Sequence, residues 1–435
     1  MKTPEALRRN ESRALAARIA AALLLALACV LPLACDKGSD RDRPIKLGAP
    51  LSTAYLYGWD AERGIRLAVE EINAAGGIDA GGTKRLLEVE VIDTRDLEPG
   101  VPLDDAIKAV ERLILQKRVD FLVGGPVRSE AAMAVMDLIS AHRRVSIITT
   151  GVLSPAYHRQ IANDHERYKY CFRITSDVVT LGNDLLLVFE EIRADFGLER
   201  VFIMVQDVAH ARKAGEFMEK LLAEKAFEVV GRQVYPTGTT DFAPGLLLSR
   251  KNGAQVIFIW MDMPETAILL KQWKSLRLKS LPIGFMSAAE QPGFWEGSEG
   301  NAEHTVVNLV NGGNAPGAIT PWTPRFVEAY KERWGLEPEG YGASSSYMAV
   351  YALKDAVERA GTLEPEAVVE ALESIDLMGV YGRIRFDPRS HQVIPSTDPA
   401  EGVVGSVFQW QEGKRVVFWP EAAATGTLRL PPWMR

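Results

Sequence analysis

Residues 45–78, IKLGAPLSTAYLYGWDAERGIRLAVEEINAAGGI, set the pattern from which the fold is predicted. They open with a short apolar run, IKLGAP, which favours a buried strand. Within 59–75, apolar residues recur at spacings of four, three and four: Ala61, Ile65, Ala68 and Ile72. This is the period of an amphipathic helix, and the paired glycines at 76–77 predict its end.

The same alternation of strand and helix continues along the chain. In the first series, strand-like runs at 86–93, 121–125 and 145–150 alternate with helical patterns at 103–117 and 129–142. A polar, turn-rich segment at 151–169 follows. In the second series, strand-like runs at 170–175, 200–206, 227–235, 255–261 and 281–286 alternate with helical patterns near 178–195, 210–225, 242–251 and 264–275. Two such series predict an α/β protein with two lobes, each built on a parallel sheet.

The remaining C-terminal part carries fewer patterns. Residues 346–361 read as an amphipathic helix, 382–387 as a strand, and 406–420 as a hairpin about Glu412-Gly413. The tail LRLPPWMR has two prolines and no helical pattern.

The N-terminus is predicted to be an export signal rather than part of the fold. The chain has 435 residues, of which 47% are hydrophobic and 25% charged, an ordinary globular composition whose length suggests two or three domains. A basic start precedes an uncharged run at 19–34, which is short for a membrane span. We therefore predict that residues 1–34 form a secretory signal peptide.

The signal run ends in LPLAC, which resembles a bacterial lipobox and predicts lipidation of Cys35. Pro32 stands where the usual box has leucine, Cys29 is a rival site, and export without lipid is the alternative. Residues 35–43 are polar and predict a flexible tether. Loss of 1–34 removes five basic and two acidic residues, so the net charge falls from −7 to −10, which argues against nucleic-acid binding.

We find no sequence motif for catalysis or for a resident cofactor. None of the six histidines pairs with another at helical spacing, so no metal site is expected. The stretch VGGPVRSEAAM, at 123–133, has the strand–glycine–helix order of a phosphate loop, but no Gly-Lys-Ser/Thr follows. Cys171 is predicted to be a buried small hydrophobe. We therefore expect no enzymatic activity.

Several stretches together resemble the type I periplasmic substrate-binding proteins, in particular those of branched-chain amino acid (Leu/Ile/Val) ABC uptake systems. The resemblance is carried by the opening stretch 45–78 and by FLVGGPVRSEAAM, VSIITTGVLSPAY, YCFRIT, DFAPGLL, YMAVYALKDAVERAG and GRIRFD, in order and at family-like spacings. It implies two α/β lobes joined by three crossovers. Lobe one would take 44–165 and 312–378, and lobe two 166–311 and 379–435.

The resemblance also implies a function. A small polar ligand, such as an amino acid, a related amide or an organic acid, would bind between the lobes and favour their closure. The closed protein would deliver it to an ABC permease with its ATPase subunits. The implied location is periplasmic or at the cell surface, anchored through Cys35. The alternative is a sensor that reports the same kind of ligand to a membrane receptor.

In this family the ligand carboxylate meets a helix N-terminus in lobe one, helped by a hydroxyl group. The matching positions are Arg128 and Ser129, where relatives often have two serines. Arg128 could offer a guanidinium to a carboxylate or be a solvated loop residue, and Ser129 could bind ligand or act as an ordinary N-cap. Tyr57 matches a cleft tyrosine, with turn packing as the alternative.

The next loop departs from the family pattern. Relatives have a ligand-binding threonine where this chain has Leu153, within Thr150-Gly151-Val152-Leu153. Leucine cannot donate a hydrogen bond, whereas the Gly151 carbonyl could still accept one from an ammonium group.

In lobe two, His210 and Asp262 fall near positions where relatives have cleft tyrosines. Asp262 could pair with a ligand cation or serve as a helix N-cap, and Trp260 could line the cleft or the core. Relatives place a carboxylate for the ammonium after the strand LPIGFM. Here Met286 or Ser287 takes that position, and Glu290 lies a little beyond.

Overall fold

The computed structural model describes residues 43–98, 100–314 and 317–434. The predicted signal peptide, the lipidation site at Cys35 and all but the last residue of the tether lie outside the described residues. Within the described ranges, no helix combines the length and the apolar character needed to cross a membrane.

The first series of strands builds a parallel sheet. The strands are β1 (Ile45–Leu51), β2 (Ile78–Asp79), β3 (Lys84–Arg85), β4 (Leu87–Asp93), β5 (Phe121–Gly124), β6 (Val145–Ile148) and β7 (Cys171–Arg173). Five of them form the sheet in the order β4-β1-β5-β6-β7, with every pairing parallel, whereas β2 and β3 form a separate pair. All residues of β5 and β6 are buried, as expected for strands covered by helices on both faces.

The second series builds a larger sheet with an antiparallel edge. Its strands, with one further pair, are β8 (Arg200–Gln206), β9 (Glu228–Tyr235), β10 (Val256–Met261), β11 (Leu281–Met286), β12 (Val306–Leu309), β13 (Leu377–Gly379), β14 (Gly382–Ile384), β15 (Ser406–Gln411) and β16 (Lys414–Trp419). The order is β16-β15-β12-β11-β10-β8-β9, and β13 and β14 pair separately. The hairpin predicted about Glu412-Gly413 is confirmed as β15 and β16.

Helices flank both sheets. They are α1 (Leu56–Ala74), α2 (Leu103–Glu111, continued by a π-turn at Arg112–Gln116), α3 (Ser129–Ala134), α4 (Met136–Ala141), α5 (Ala156–Asn163), α6 (His165–Tyr168), α7 (Val178–Phe196), α8 (Ala209–Glu224), α9 (Ala243–Lys251), α10 (Thr266–Ser275), α11 (Ser287–Glu290), α12 (Phe294–Gly297), α13 (Trp322–Trp334), α14 (Tyr341–Ala360) and α15 (Pro365–Glu373). Short 3₁₀ turns lie at Gly312–Asn314, Glu421–Ala423 and Pro432–Met434.

The chain passes three times between the two sheets. It leaves the first sheet after β7, returns after β12 to pack α14 along α1, and crosses again before β15. The close contact of α14 with α1 depends on Gly64, because a methyl group there would lie 2.1 Å from the Ala343 carbonyl oxygen. The predicted α/β fold with two lobes and three crossovers is therefore confirmed.

Two segments lie on the other side of the predicted lobe division. Residues 166–173 were assigned to lobe two, but β7 pairs with β6 of the first sheet. Residues 379–403 are also predicted to belong to lobe two, but Tyr381, Phe386 and Val393 are buried in the hydrophobic core that packs against the first sheet, which we call the first core. These two segments differ from the prediction because their partners are distant in sequence. Local periodicity predicts a strand, but it does not indicate which sheet or core that strand joins.

Some local predictions also change. Two helices, α5 and α6, occupy much of 151–169, which its turn-forming residues marked as loop. Helices α13 and α15 and strand β12 were not predicted. Helix α14 begins at Tyr341, whereas the periodicity predicted a start at 346. The first turns were missed because the buried residues at 344–346 are serines, which do not continue the apolar pattern. Cys171 is buried, as predicted, and burial raises the pKa of its thiol to about 12.

Candidate functional site

The loop between β5 and α3 carries Arg128 and Ser129. The Arg128 backbone N–H donates to the buried Asp96 carboxylate at 2.6 Å, so a protein carboxylate already occupies this amide. The Arg128 side chain is 37% exposed, and its Nε lies 3.9 Å from the Glu130 carboxylate. Arg128 therefore has a guanidinium that can turn to another anion.

Ser129 is the first residue of α3 rather than its N-cap, which is Arg128. Its hydroxyl accepts a hydrogen bond from the Ser154 backbone N–H at 3.3 Å. The capping alternative considered for Ser129 therefore does not describe its role. Instead, this side chain joins the Arg128 loop to the loop that follows β6.

That second loop, residues 150–154, meets helix α14. The Gly151 backbone N–H donates to the Tyr341 hydroxyl at 2.9 Å. Leu153 follows β6 of the first sheet, but it packs against the hydrophobic core of the second sheet, which we call the second core. Thr150 is fully buried, and its hydroxyl makes no hydrogen bond within the described part of the chain. The loop therefore forms part of the boundary between the two cores.

Gly151 has a backbone conformation that a side chain would disturb. Its φ is +62°, and a methyl group there would lie 2.1 Å from the Val127 carbonyl oxygen. We expect Gly151→Ala to destabilise the protein by roughly 2–5 kcal/mol, since left-handed strain and a backbone clash add. Chemical denaturation measures this loss.

The matched control for Gly151→Ala is Gly197→Ala. Gly197 has a φ of +67°, but a methyl group added there meets nothing within 4 Å. This control should cost only the conformational strain, about 1–2 kcal/mol. Equal losses for the two variants would show that the Gly151 loop yields to the clash.

The second-sheet side of the site begins with His210 and Asp262. The His210 Nε2 lies 2.7 Å from the Asp262 Oδ2, and both side chains are partly exposed. Burial opposes protonation of His210, but the hydrogen bond and charge of Asp262, with Glu130, raise its pKa above the usual value. Asp262 is not a helix N-cap, because α10 is preceded by Glu265. His210 and Asp262, which were predicted separately as cleft residues, therefore lie in direct contact.

Trp260 lies in the core rather than in the open cleft. Only 2% of its surface is exposed, and its ring centroid is 4.9 Å from that of Phe285. Its indole N–H is nevertheless buried with no hydrogen-bond partner among the described residues. A buried N–H of this kind usually requires a polar partner.

Glu290 is the residue whose role the sequence left open. It closes the short helix α11 after β11, and it is 1% exposed. Neither carboxylate oxygen makes a hydrogen bond to any described residue. Burial, followed by the charge of Asp262, raises the pKa of Glu290 well above its usual value, although Arg415 opposes the shift. A buried carboxyl without a hydrogen bond is costly unless something else binds to it.

Two tyrosines bring the first lobe to Glu290. The rings of Tyr57 and Tyr341 lie 5.3 Å apart between centroids. Burial, then the charges of Glu290 and Asp262, raises the pKa of Tyr57, which places these four side chains in one electrostatic environment. Ser287 approaches the Tyr57 hydroxyl, but no described residue reaches hydrogen-bond geometry with it.

Eight of the nine predicted ligand-site residues thus fall into three groups, whereas Trp260 lies in the core. Tyr57, Thr150, Gly151 and Leu153 meet around Tyr341, His210 pairs with Asp262, and Arg128 and Ser129 flank the loops. Tyr341 was not predicted, because its position at the start of α14 carries no motif. Glu290 was noted but not selected, although an acidic residue after a buried strand was the available indication.

Chemically, the arrangement suits a small ligand with a cationic end. The Glu290 carboxyl, the Tyr57 phenol and the Trp260 indole N–H are each buried without a hydrogen-bond partner among the described residues. Tyr57 and Trp260 pack in the same hydrophobic core as Leu153 and Tyr341. Such a combination of apolar walls and few convergent polar groups is typical of small-molecule sites.

Comparisons with known proteins agree on one family. A family profile described as "Periplasmic binding protein" matches residues 45–404. The Leu/Ile/Val-binding protein homolog 7 of Brucella suis biovar 1 (strain 1330) is 24% identical over 425 residues, covering 94% of this chain and 98% of its own length.

Two solved structures share the fold. A putative branched-chain amino acid ABC transporter protein from Silicibacter pomeroyi has a TM-score of 0.79 at 21% identity, covering 90% of this chain and all of its own. The branched-chain amino acid transporter substrate-binding protein of Streptococcus pneumoniae, in complex with isoleucine, has a TM-score of 0.68 at 19% identity, covering 86% of this chain and 98% of its own.

Proposed function

This chain belongs to the periplasmic binding protein family, and on that premise we propose that it is the substrate-binding component of a branched-chain-amino-acid-type ABC uptake system. Two similar proteins support this class of ligand. One is named a Leu/Ile/Val-binding protein homolog, and the other is a branched-chain amino acid transporter substrate-binding protein in complex with isoleucine. A membrane permease and its ATPase subunits would be the partners.

The observation that carries the proposal is the buried carboxyl of Glu290, whose oxygens make no hydrogen bond to any described residue. We propose that it receives the ammonium group of an α-amino acid, together with the Tyr57 hydroxyl. The ammonium would supply both the charge and the hydrogen bonds that the carboxyl lacks. Asp262, which shares the same environment, would add to the attraction.

The ligand carboxylate would then face the first lobe. Arg128, Ser129, Thr150 and Gly151 lie on the two loops that are joined by the Ser129–Ser154 hydrogen bond. The Thr150 hydroxyl has no partner among the described residues and can donate to an anion. Leu153 would contact the ligand side chain, which suits an aliphatic rather than a polar group.

Binding between lobes would couple ligand to closure. We propose that residues 44–173 and 322–403 form one lobe and residues 178–309 and 406–434 the other, as the two sheets and their cores suggest. A ligand that contacts both lobes binds the closed form more tightly and shifts the equilibrium towards it. A lipid at Cys35 would hold the closed protein near its permease.

The proposal is tested by thermal unfolding of the purified protein with a ligand panel. The panel contains leucine, isoleucine and valine, their amides, dicarboxylic acids and aromatic acids. A ligand at 100 times its Kd should add about 2.7 kcal/mol to the free energy of unfolding. Stabilisation by the aliphatic amino acids, weaker with Arg128→Ala, supports the proposal, whereas no shift with any compound contradicts it.

The affinity should also depend on pH through Glu290. Its pKa is raised in the free protein, and a bound ammonium group would lower it by favouring the ionised form. Between the bound and free pKa values, binding therefore releases a proton and the affinity rises with pH, by at most tenfold per unit. Calorimetry from pH 5 to 8, in two buffers of different ionisation enthalpy, measures the released proton.

Asp262 and Glu130 raise the pKa of His210 against the effect of its burial, so a second group contributes to the pH dependence and Glu290→Gln is the control for the pH experiment. The variant should retain only the pH dependence that His210 contributes. An affinity that falls as pH rises in the unsubstituted protein would rule out this role for Glu290.

A further inference from the structure

A cluster of three metal-ligating side chains lies apart from the ligand site. His165 begins α6, Glu373 ends α15, and His391 lies in the turn that follows β14. One ligand atom from each residue lies within 4.8 Å of the other two. The cluster therefore joins three parts of the chain that are far apart in sequence.

The hydrogen bonds fix which ring nitrogens are available. The His391 Nδ1 lies 3.1 Å from the Cys171 carbonyl oxygen, and the His165 Nδ1 lies 3.1 Å from the Arg389 carbonyl oxygen. A carbonyl oxygen only accepts, so each Nδ1 carries a hydrogen and donates it. Metal-bound histidines commonly show this arrangement, since it orients the ring and directs the other nitrogen to the ion.

Both Nε2 atoms then converge on one oxygen. The Glu373 Oε1 lies 3.0 Å from the His391 Nε2 and 3.3 Å from the His165 Nε2. An ionised carboxylate also only accepts hydrogen bonds. Positive charge between the Glu373 Oε1 and the two Nε2 atoms would therefore stabilise this arrangement. A single divalent cation supplies that charge without requiring two neighbouring imidazolium rings.

The geometry is held in place on one side and open on the other. His391 is fully buried, and its ring stacks on Phe172 with centroids 3.9 Å apart. Its backbone also pairs with Arg173 and Asp387. The His165 and Glu373 side chains are each 28% exposed, which leaves a route for an ion and for a coordinating water.

We propose that His165, Glu373 and His391 form a binding site for Zn²⁺ or a similar divalent transition metal. Two imidazole nitrogens and one carboxylate suit zinc and disfavour Mg²⁺ and Ca²⁺, which prefer oxygen ligands. Tetrahedral zinc at about 2.1 Å from its ligands separates them by roughly 3.4 Å, close to the two short distances here. A bound ion would fasten α6, α15 and the His391 turn together.

The experiment is a ZnCl₂ titration of purified chain that has been stripped with a chelator. Calorimetry should show one saturable site, and thermal unfolding should shift upward with Zn²⁺ but not with Mg²⁺. Co²⁺ in place of Zn²⁺ should give a visible absorption spectrum that reports the coordination number. His165→Ala should lower the Zn²⁺ affinity at least about tenfold.

Two further variants keep the test decisive. Glu373→Gln, which removes a partly exposed ligand, should weaken Zn²⁺ binding even if His165→Ala folds poorly. His142→Ala removes a histidine outside the cluster and should leave the affinity unchanged. Absence of saturable Zn²⁺ binding, or binding that neither cluster variant weakens, would overturn the proposal.

Discussion

Glu290→Gln is expected to weaken amino-acid binding by roughly 30- to 3,000-fold. Removing one partner of a buried charge pair costs about 2–5 kcal/mol, and each 1.4 kcal/mol corresponds to a factor of ten. Glutamine keeps the size and shape of the side chain but cannot provide the negative charge. Because Glu290 is buried without a hydrogen bond within the described chain, a neutral amide should not lower the stability of the ligand-free protein.

The measurement is isothermal titration with the aliphatic amino acid that stabilises the unsubstituted protein most. Glu296→Gln is the matched control, since Glu296 is an exposed acidic residue in the adjacent short helix. The control should bind normally. If Glu290→Gln bound with unchanged affinity, the ammonium group would have to lie elsewhere, and Asp262 would become the next position to test.

Arg173→Met is expected to cause the largest loss of stability, about 3–5 kcal/mol, or roughly 10 °C in Tm. The Arg173 side chain is fully buried and donates to the Val152 carbonyl and, at 2.6 Å, to Gln392. Its guanidinium also lies 3.6 Å from the buried Asp177 carboxylate. Methionine fills a similar volume but donates no hydrogen bond to the Val152 carbonyl or to Gln392 and leaves the Asp177 carboxylate with only His158 and Thr180.

Arg173 also holds the binding loop in position. It reaches both the Val152 and the Ser154 carbonyl oxygens, so its loss should loosen residues 150–154 and reduce ligand affinity as well. Burial lowers the pKa of Arg173 only to about 10, which keeps the guanidinium charged at neutral pH. The stability loss should therefore not depend strongly on pH between 6 and 8.

Urea or guanidinium unfolding measures this prediction, with Arg232→Met as the control. Arg232 pairs with Glu219 on the surface at 3.3 Å, and the side chains of both are well exposed. Loss of such a pair should change the free energy of unfolding by no more than about 0.5 kcal/mol. Similar losses for the two variants would mean that Arg173 contributes no more than a surface arginine.

Much of the fold could be predicted from local pattern. The spacing of Ala61, Ile65 and Ala68 identified α1, and the apolar runs identified most strands of both sheets. The register of side chains along one helix or strand depends on neighbours within a few residues, so the sequence reports it directly. Helix α14 was only partly predicted, because its buried serines bond to backbone carbonyls such as that of Tyr341 rather than to solvent.

The candidate site was predicted less completely than the fold, because some of its residues come together only through contacts between distant parts of the chain. Tyr57 and the loop at 150–153 lie beside a helix or strand end that local pattern locates. Glu290 and Tyr341 become important only because folding brings them to those residues. The strand LPIGFM before Glu290 was the one local indication of its position, but local pattern does not report that Glu290 is buried whereas Glu296 is exposed.

The sequence by itself therefore determined the two α/β series, through local periodicity, and the family resemblance, through motif spacing; the three crossovers were predicted only because that resemblance implies them. Only the tertiary structure decided that 379–403 packs with the core of the first sheet, that Glu290 is buried without a hydrogen bond to any described residue, and that His165, Glu373 and His391 meet. These outcomes depend on contacts made after the crossovers, between residues that no local pattern connects.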